Sequence, residues 1–301
     1  MTIKKGIDLL RQNYISYLAG ILIILGIKYY YRQADCDSLL WILAPTAWWV
    51  ELLSRIPFTY ISGTGYVNHS LRLLIAPSCS GVRFMTITFA TFVFSFVHMI
   101  ASSQKSSETG SVQTLYRDTT EAKSFGMKVK GLCWVAVSAF LSWLFTIFVN
   151  GLRIITAIYL PLYLEDAGLM KGMLTQDRLH TMIGVVVYFI ALLTIYRLAG
   201  WFVQRAVRPA SLDRERGNYV HTQDLAENYA DTCEEHSLSA FIHKCAPPVF
   251  WYFVLTLGIP FLSRACREGM EEFTEFAVLV TGCCVLILLP YVITFFLRKQ
   301  K

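Results

Sequence analysis

Residues 78–100 read SCSGVRFMTITFATFVFSFVHMI, and this stretch decides the fold class. From Phe84 onward it is a continuous apolar run, and Arg83 is its one charged residue. A helix that crosses a bilayer needs about 20 predominantly apolar residues, so the run predicts a transmembrane helix over 84–101. The small residues Ser78-Cys79-Ser80-Gly81 come just before it, which places Cys79 next to the N-terminus of that helix.

The composition extends this interpretation to the whole chain. Of its 301 residues, 55% are hydrophobic and only 16% are charged, and the mean hydropathy is +0.47. Soluble domains are less apolar and more charged, and the alternating pattern of a transmembrane β-barrel is absent. We therefore predict an all-α, multi-pass transmembrane helical bundle with about seven spans. The predicted spans are 14–30, 39–53, 84–101, 132–149, 181–203, 248–262 and 276–297. The predicted parts are a membrane-embedded core at 1–203, a polar cytoplasmic segment at 204–247, and C-terminal membrane spans at 248–301.

A short β-hairpin is predicted immediately before Cys79. The segments 56–61 and 66–75 are rich in β-formers and flank the turn sequence Ser62-Gly63-Thr64-Gly65. Two such segments around a glycine-containing turn are typical of a hairpin. The hairpin leads through Ala76 and Pro77 into the cysteine, so it lies on the same side of the membrane.

Positive charge predicts the orientation of the spans. The net charge is +6, and Lys and Arg collect in the polar segments beside the spans. Cytoplasmic segments of membrane proteins carry an excess of these residues, so 102–130, 204–243 and 298–301 are predicted to be cytoplasmic. This rule accounts for the basic composition without nucleic acid, for which the chain has no motif. We predict a protein of the cell inner membrane that is embedded in the lipid bilayer.

The same rule leaves the N-terminus open. If 14–30 and 39–53 both span, the N-terminus lies outside despite Lys4, Lys5 and Arg11. Either 39–53 is re-entrant or the N-terminus is an exception to the rule.

Three side chains capable of chemistry fall at the ends of predicted spans. Cys79 precedes one span, Arg153 follows the next within Asn150-Gly151-Leu152-Arg153, and His180 precedes the third. Because successive spans alternate in direction, all three ends are expected at one face, the extracytoplasmic one. The sequence therefore predicts a thiol-based active site at a membrane surface.

Each of these residues has a specific predicted role. The positive end of a helix stabilises a thiolate, which favours Cys79 as the nucleophile. His180 can exchange a proton with the thiol as general acid/base. Arg153 can stabilise the oxyanion of a tetrahedral intermediate with charge-assisted hydrogen bonds. The pattern implies no metal and no organic cofactor.

Structural roles are the alternative for each residue. Cys79 can be a small residue at a helix start, His180 an interfacial side chain, and Arg153 a cation that reaches the lipid headgroups. The supporting and rival residues are Gly81, which lets backbone N–H groups approach a carbonyl; Ser80, the rival nucleophile; Asn150, which caps the helix end or orients His180; Arg83 and Arg72, which can do the same electrostatic work as Arg153; His69, the rival base; and His98, a polar group inside a span.

Taken in order, these motifs resemble a known family. Pro77-Ser78-Cys79-Ser80-Gly81-Val82-Arg83, then Asn150-Gly151-Leu152-Arg153-Ile154, then His180 are similar to the three motifs of the exosortase/archaeosortase family. The resemblance covers roughly 39–203, and the K-type exosortases are the nearer variant. The polar segment and the spans after 203 are not part of the shared core.

The resemblance implies a cysteine protease or transpeptidase. Members of the family are thought to recognise a C-terminal sorting tail on exported proteins, consisting of a short motif such as Pro-Glu-Pro, a transmembrane helix and a basic cluster. The implied reaction is cleavage near the motif through a Cys79 acyl-enzyme, with Arg153 as oxyanion stabiliser and His180 as general acid/base. A surface glycan or another acceptor is the implied second substrate.

Two other classes of function stay open. A transporter would be consistent with the many spans, although transporters usually carry charged groups near the midplane of the membrane. A non-catalytic membrane subunit of an export or polysaccharide assembly system would tolerate the separate loss of Arg153 and His180. Residues that act as one catalytic unit do not tolerate such losses.

Overall fold

The computed structural model describes residues 11, 13–102, 119–166, 176–207, 238–264 and 270–299. These residues are mostly helical. The helices are α1 (Tyr14–Gln33), α2 (Leu40–Ser54), α3 (Val82–Ser102), α4 (Thr119–Asp166), α5 (Gln176–Val207), α6 (Leu238–Phe253), α7 (Ile259–Arg264) and α8 (Met270–Lys299). A π-helical turn, Val254–Gly258, joins α6 to α7, and 3₁₀ turns cover Asp37–Leu39 and Pro77–Cys79.

Five helices of the described chain are long and apolar enough to cross a membrane. Their candidate spans are Tyr14–Gln33, Pro77–Val97, Lys128–Leu164, Arg178–Val203 and Phe273–Pro290. Two of the predicted spans form shorter helices. The first is α2, which has 15 residues and a length of about 22 Å, against a hydrocarbon thickness of about 30 Å. The second is the apolar stretch Ala246–Leu262. The architecture is compatible with a membrane helical bundle.

The helix α4 is much longer than the sequence predicted. The predicted span ends at 149, whereas the helix has 48 residues and continues to Asp166. The residues after Arg153 are mainly apolar, and the helix runs through both Asn150-Gly151-Leu152-Arg153 and Pro161. Asn150 and Arg153, which were predicted at the end of a span, therefore lie inside a continuous helix.

A three-stranded antiparallel sheet lies between α2 and α3. Its strands are β1 (Thr59–Ile61), β2 (Gly65–Asn68) and β3 (Leu73–Ile75), in the order β1-β2-β3. Tyr60 pairs with Tyr66, and Val67 pairs with Leu74. The sequence predicted one strand over 66–75, but Asn68 Oδ1 accepts a hydrogen bond from the Leu71 N–H at 2.8 Å and starts a turn there.

The carboxylate of Asp37 ties the tip of this sheet to the start of α2. It accepts hydrogen bonds from the Tyr60 hydroxyl, from Ser62 Oγ at 2.9 Å and from the Gly63 N–H at 3.2 Å. These donors, the Tyr60 hydroxyl above all, lower the pKa of Asp37. The same bond raises the pKa of Tyr60 to about 12. The sheet is thus held at the β1–β2 turn by Asp37, and its last strand β3 continues into the Cys79 turn.

The helix α3 is the centre of the bundle. It packs against α1, α4, α5 and α6. In the most apolar stretch of its candidate span 83% is buried, against 17% in that of α1. Its side chains Phe84, Phe89 and Phe92 are almost fully buried. Cys79 stands at the start of the most enclosed helix, so its surroundings are set by the neighbouring helices.

Candidate active site

A tight turn presents Cys79 at the start of α3. The Cys79 N–H donates to the Ala76 carbonyl at 2.8 Å, and the Ser80 N–H donates to the Pro77 carbonyl at 3.0 Å. The Tyr31 hydroxyl of α1 holds the same Pro77 carbonyl at 3.2 Å. Ser78 Oγ lies 4.0 Å from the Cys79 sulfur. The cysteine is half-buried, so its backbone is fixed while its thiol stays reachable.

Gly81 allows α4 to approach this turn closely. Its φ is +73°, a conformation that favours glycine. A Cβ at this position would lie 2.9 Å from Thr146 Cγ2 and 3.0 Å from Asn150 Cγ. The sequence predicted that a small residue is needed here for backbone access. The structure adds a second reason, which is the space for Asn150.

Asn150 binds the backbone of the cysteine. Its Nδ2 donates to the Cys79 carbonyl, and its Oδ1 accepts from the Tyr188 hydroxyl at 2.6 Å. The side chain is fully buried. The predicted roles for Asn150, a helix cap or a partner of His180, were wrong because α4 does not end there and the amide faces α3 and Tyr188 instead.

Arg153 lies between α4 and α5 and contacts His180. Its Nη2 is 2.8 Å from His180 Nε2, and the arginine is only 8% exposed. Gly184 makes room for it, since a Cβ there would lie 3.1 Å from Arg153 Nε. A guanidinium can only donate hydrogen bonds. In this contact His180 Nε2 can only accept, which is the geometry of an imidazole that carries its proton on Nδ1.

The three residues of the predicted site meet at one end of the bundle. The Cys79 thiol lies close enough to the His180 imidazole and to the Arg153 guanidinium for both groups to act on it. The three side chains come from the 3₁₀ turn before α3, the C-terminal third of α4 and the first turns of α5. His180 is exposed and Arg153 is buried, so the cluster has one open side and one side fixed by packing.

The rival residues lie elsewhere. His69 and Arg72 are exposed in the turn between β2 and β3, and His69 is not among the groups that act on the Cys79 thiol. Arg83 is also exposed. Ser80 is fully buried, and its hydroxyl has no hydrogen-bond partner among the described residues, so a substrate cannot reach it as easily as Cys79. The side chain of His98 and residues 208–237 of the predicted polar segment lie outside the described part of the chain.

Sequence reasoning missed Tyr188, Gly184 and Thr146. Tyr188 bonds Asn150, stacks on Phe84 with ring centroids 4.7 Å apart, and lies 5.6 Å below the Arg153 guanidinium carbon. A signal was present, because residues four apart share one face of a helix. His180, Gly184 and Tyr188 follow that spacing on α5, and Thr146 and Asn150 follow it on α4.

Within the described ranges, no three His, Cys, Asp or Glu side chains are grouped as the ligands of a metal ion. No protein-family model, curated protein or solved structure matches this chain. The site geometry is therefore the basis on which a function has to be argued.

Proposed function

We propose that this chain is a membrane cysteine endopeptidase or transpeptidase that cleaves the C-terminal sorting tail of exported proteins. The observation that carries the proposal is the 2.8 Å contact of Arg153 with His180 beside the Cys79 thiol, three side chains from separate elements. A thiol, an imidazole and a buried guanidinium can act as nucleophile, general acid/base and oxyanion stabiliser in acyl transfer through a thioester.

The proposed first step is attack on the scissile carbonyl. The Cys79 sulfur forms a bond to the carbonyl carbon, and the electron pair of the C=O bond moves to the oxygen. As this charge develops, the Arg153 guanidinium shifts its donation from His180 Nε2 to the oxyanion. His180 Nε2 then takes the thiol proton, which it can do because the imidazole starts neutral.

The second step releases the amine and then the acyl group. Collapse of the tetrahedral intermediate breaks the C–N bond, and the leaving amine takes the proton from His180. The substrate acyl group remains on Cys79 as a thioester. Water, or an amine or hydroxyl group of an acceptor such as a surface glycan, attacks this thioester and restores the thiol. Attack by water completes hydrolysis. Attack by an amine completes transpeptidation, and attack by a hydroxyl group transfers the acyl group as an ester.

The proposed substrate fits the position of the site. The resemblance to the exosortase/archaeosortase family implies a tail with a short motif next to a transmembrane helix. Cys79 lies at the start of α3, at the end of a candidate span. A peptide that emerges from the bilayer beside its own helix would therefore reach the thiol without being drawn into the membrane.

The length of α2 supports an extracytoplasmic site in the cell inner membrane. If α2 does not cross, α1 carries the chain outward and α3 carries it back, which places the N-terminus with Lys4, Lys5 and Arg11 in the cytoplasm. The conflict that the sequence left open is then removed. Cys79 and His180 both lie outside in this arrangement.

The test is processing of a tail-bearing substrate in membranes. We expect Cys79→Ala to abolish cleavage, and Arg153→Ala and His180→Ala each to reduce it by about 10² to 10³-fold. Membrane insertion should be unchanged in all three variants. Cys133→Ala is the matched control, because Cys133 is an exposed cysteine of α4.

Normal cleavage by the Cys79→Ala variant would contradict the proposal. A non-catalytic subunit or a transporter would keep its cellular role in each single variant. Solute flux that does not depend on Cys79 would favour the transporter.

A further inference from the structure

We propose that Tyr188 is a positioning residue that holds both the Cys79 turn and the Arg153 guanidinium in place. The inference rests on the proposed function for its catalytic meaning, but the contacts that carry it are structural. Tyr188 contacts Phe84, which directly follows the cysteine motif, and Asn150 and Arg153 of the second motif, and it lies on α5 with His180.

The hydroxyl of Tyr188 determines which way the Asn150 amide points. Its O–H donates to Asn150 Oδ1 at 2.6 Å, which leaves Nδ2 facing the Cys79 carbonyl. The two ends of a carboxamide are not interchangeable, because the oxygen accepts and the nitrogen donates. Asn150 is fully buried, so loss of the tyrosine hydroxyl would leave Oδ1 without a donor, which is costly in a buried site.

The ring of Tyr188 holds the guanidinium. It stacks on Phe84 with an interplanar angle of 11°, so Phe84 fixes the plane of the ring. Arg153 Cζ lies 5.6 Å from the ring centroid, within the range of about 6 Å for a cation–π contact. Arg153 thus contacts two side chains of α5, the Tyr188 ring and the His180 imidazole, with Gly184 between them.

Two functions are therefore separable within one side chain. The hydroxyl positions Cys79 through Asn150, and the ring positions Arg153. Tyr188→Phe removes the hydrogen bond to Asn150 and keeps the ring contact with Arg153, whereas Tyr188→Leu removes both contacts. A residue that only filled space in the core would show no such division, because phenylalanine fills nearly the same volume as tyrosine.

The experiment measures alkylation of Cys79 by iodoacetamide in the full-length, membrane-embedded chain, with the other cysteines replaced by alanine. The readout is the rate at about pH 7 relative to about pH 9.5, where an ordinary thiol with a pKa of about 8.5 is mostly ionised. The ratio cancels changes in reagent access. We expect Tyr188→Phe to lower it about fivefold, because a Cys79 turn that Asn150 no longer holds in place would keep the thiol less well positioned beside Arg153 and His180.

A double-mutant cycle separates positioning from general loosening. Tyr188→Phe and Asn150→Ala act through one chain of hydrogen bonds, so the double variant should show no larger loss than Asn150→Ala alone. Tyr252→Phe is the matched control, since Tyr252 is a buried tyrosine of the same core cluster that packs on Phe189 instead. Thermal unfolding of each variant checks that it is folded.

An unchanged ratio in Tyr188→Phe, or losses that simply add in the double variant, would overturn the inference. The proposed enzyme activity fails by a different result, which is cleavage without Cys79. Alkylation needs no substrate, so the cycle can be read whether or not processing is observed. Coupling between Tyr188 and Asn150 supports the positioning role in either case.

Discussion

At the scale of single residues, the site depends on two glycines that let large polar groups approach the backbone. Gly81 admits Asn150 to the Cys79 carbonyl, and Gly184 admits the Arg153 guanidinium to α5. The buried Asn150 amide is hydrogen-bonded at both of its ends, to the Cys79 carbonyl and to the Tyr188 hydroxyl, which avoids a desolvation penalty. The geometry of the thiol therefore depends on residues that have no chemistry of their own.

Gly81→Ala tests this dependence. The new methyl group would lie 2.9 Å from Thr146 Cγ2 and 3.0 Å from Asn150 Cγ, which is closer than van der Waals contact. Alanine is also strained at a φ of +73°. We expect a loss of about 1–3 kcal/mol in stability together with a loss of substrate cleavage. Thermal unfolding in detergent and the processing assay are the measurements.

Gly26→Ala is the control for that variant. Nothing lies within 4 Å of a Cβ at Gly26, a glycine inside α1. Equal effects of the two substitutions would show that Gly81 has no special role.

At the scale of elements, the sheet before Cys79 is held at both ends. Its C-terminal strand β3 runs into the cysteine turn, and its tip is bound by the Asp37 carboxylate at the start of α2. Asp37 precedes α2 by three residues, and the donors come from β1 and the β1–β2 turn. The short helix α2 and the sheet thus form one unit that positions the Cys79 turn.

The Asp37 bonds predict a dependence on pH. Because the native pKa of Asp37 is lowered, its stabilising contribution is fully present above the unfolded value of about 3.9 and is lost as the pH falls through the native value. We expect amide exchange at Gly63, measured by mass spectrometry and corrected for intrinsic rates, to lose protection in that acid range.

Asp37→Asn should show reduced protection at neutral pH and little further change on acidification. Asp35→Asn serves as the control, since Asp35 is exposed and lies two residues away. Protection of the Gly63 amide that is independent of pH in the parent chain would contradict the role of the Asp37 carboxylate in holding the tip of the sheet.

At the scale of the whole molecule, the site is assembled by helices that differ in their depth of burial. α3 is enclosed, whereas only 17% of the most apolar stretch of α1 and 22% of that of α8 are buried. In a bilayer those exposed apolar side chains face lipid. The enclosed helix follows Cys79 directly, and the surrounding α4 and α5 supply Arg153 and His180.

This arrangement predicts the membrane topology. We expect the N-terminus, 103–118 and the C-terminus in the cytoplasm, and the sheet outside, with Ala246–Leu262 crossing as part of the continuous helix from α6 to α7. Thr64→Cys, in a chain without other cysteines, should react with a membrane-impermeant maleimide from outside. A cysteine placed at Ser106 should react only after the membrane is opened. The reverse pattern would contradict both the orientation and the proposed location of the site.

The sequence by itself determined the class of protein and the chemistry on offer. Long apolar runs such as 84–101 predict membrane helices because hydropathy is a local property. The small residues around Cys79 and the polar residues near Arg153 and His180 likewise identified the three candidate groups. Their chemical types and order along the chain needed no structure to be recognised.

Only the tertiary structure decided how these groups meet. Local pattern placed the end of a span at 149, but α4 continues to Asp166 and packs along α3 and α5. The binding of Asn150 to the Cys79 backbone and the contact of Tyr188 with Asn150, Phe84 and Arg153 are long-range contacts. Such contacts depend on which helix faces pack together, and neighbouring residues in the sequence carry no record of that choice.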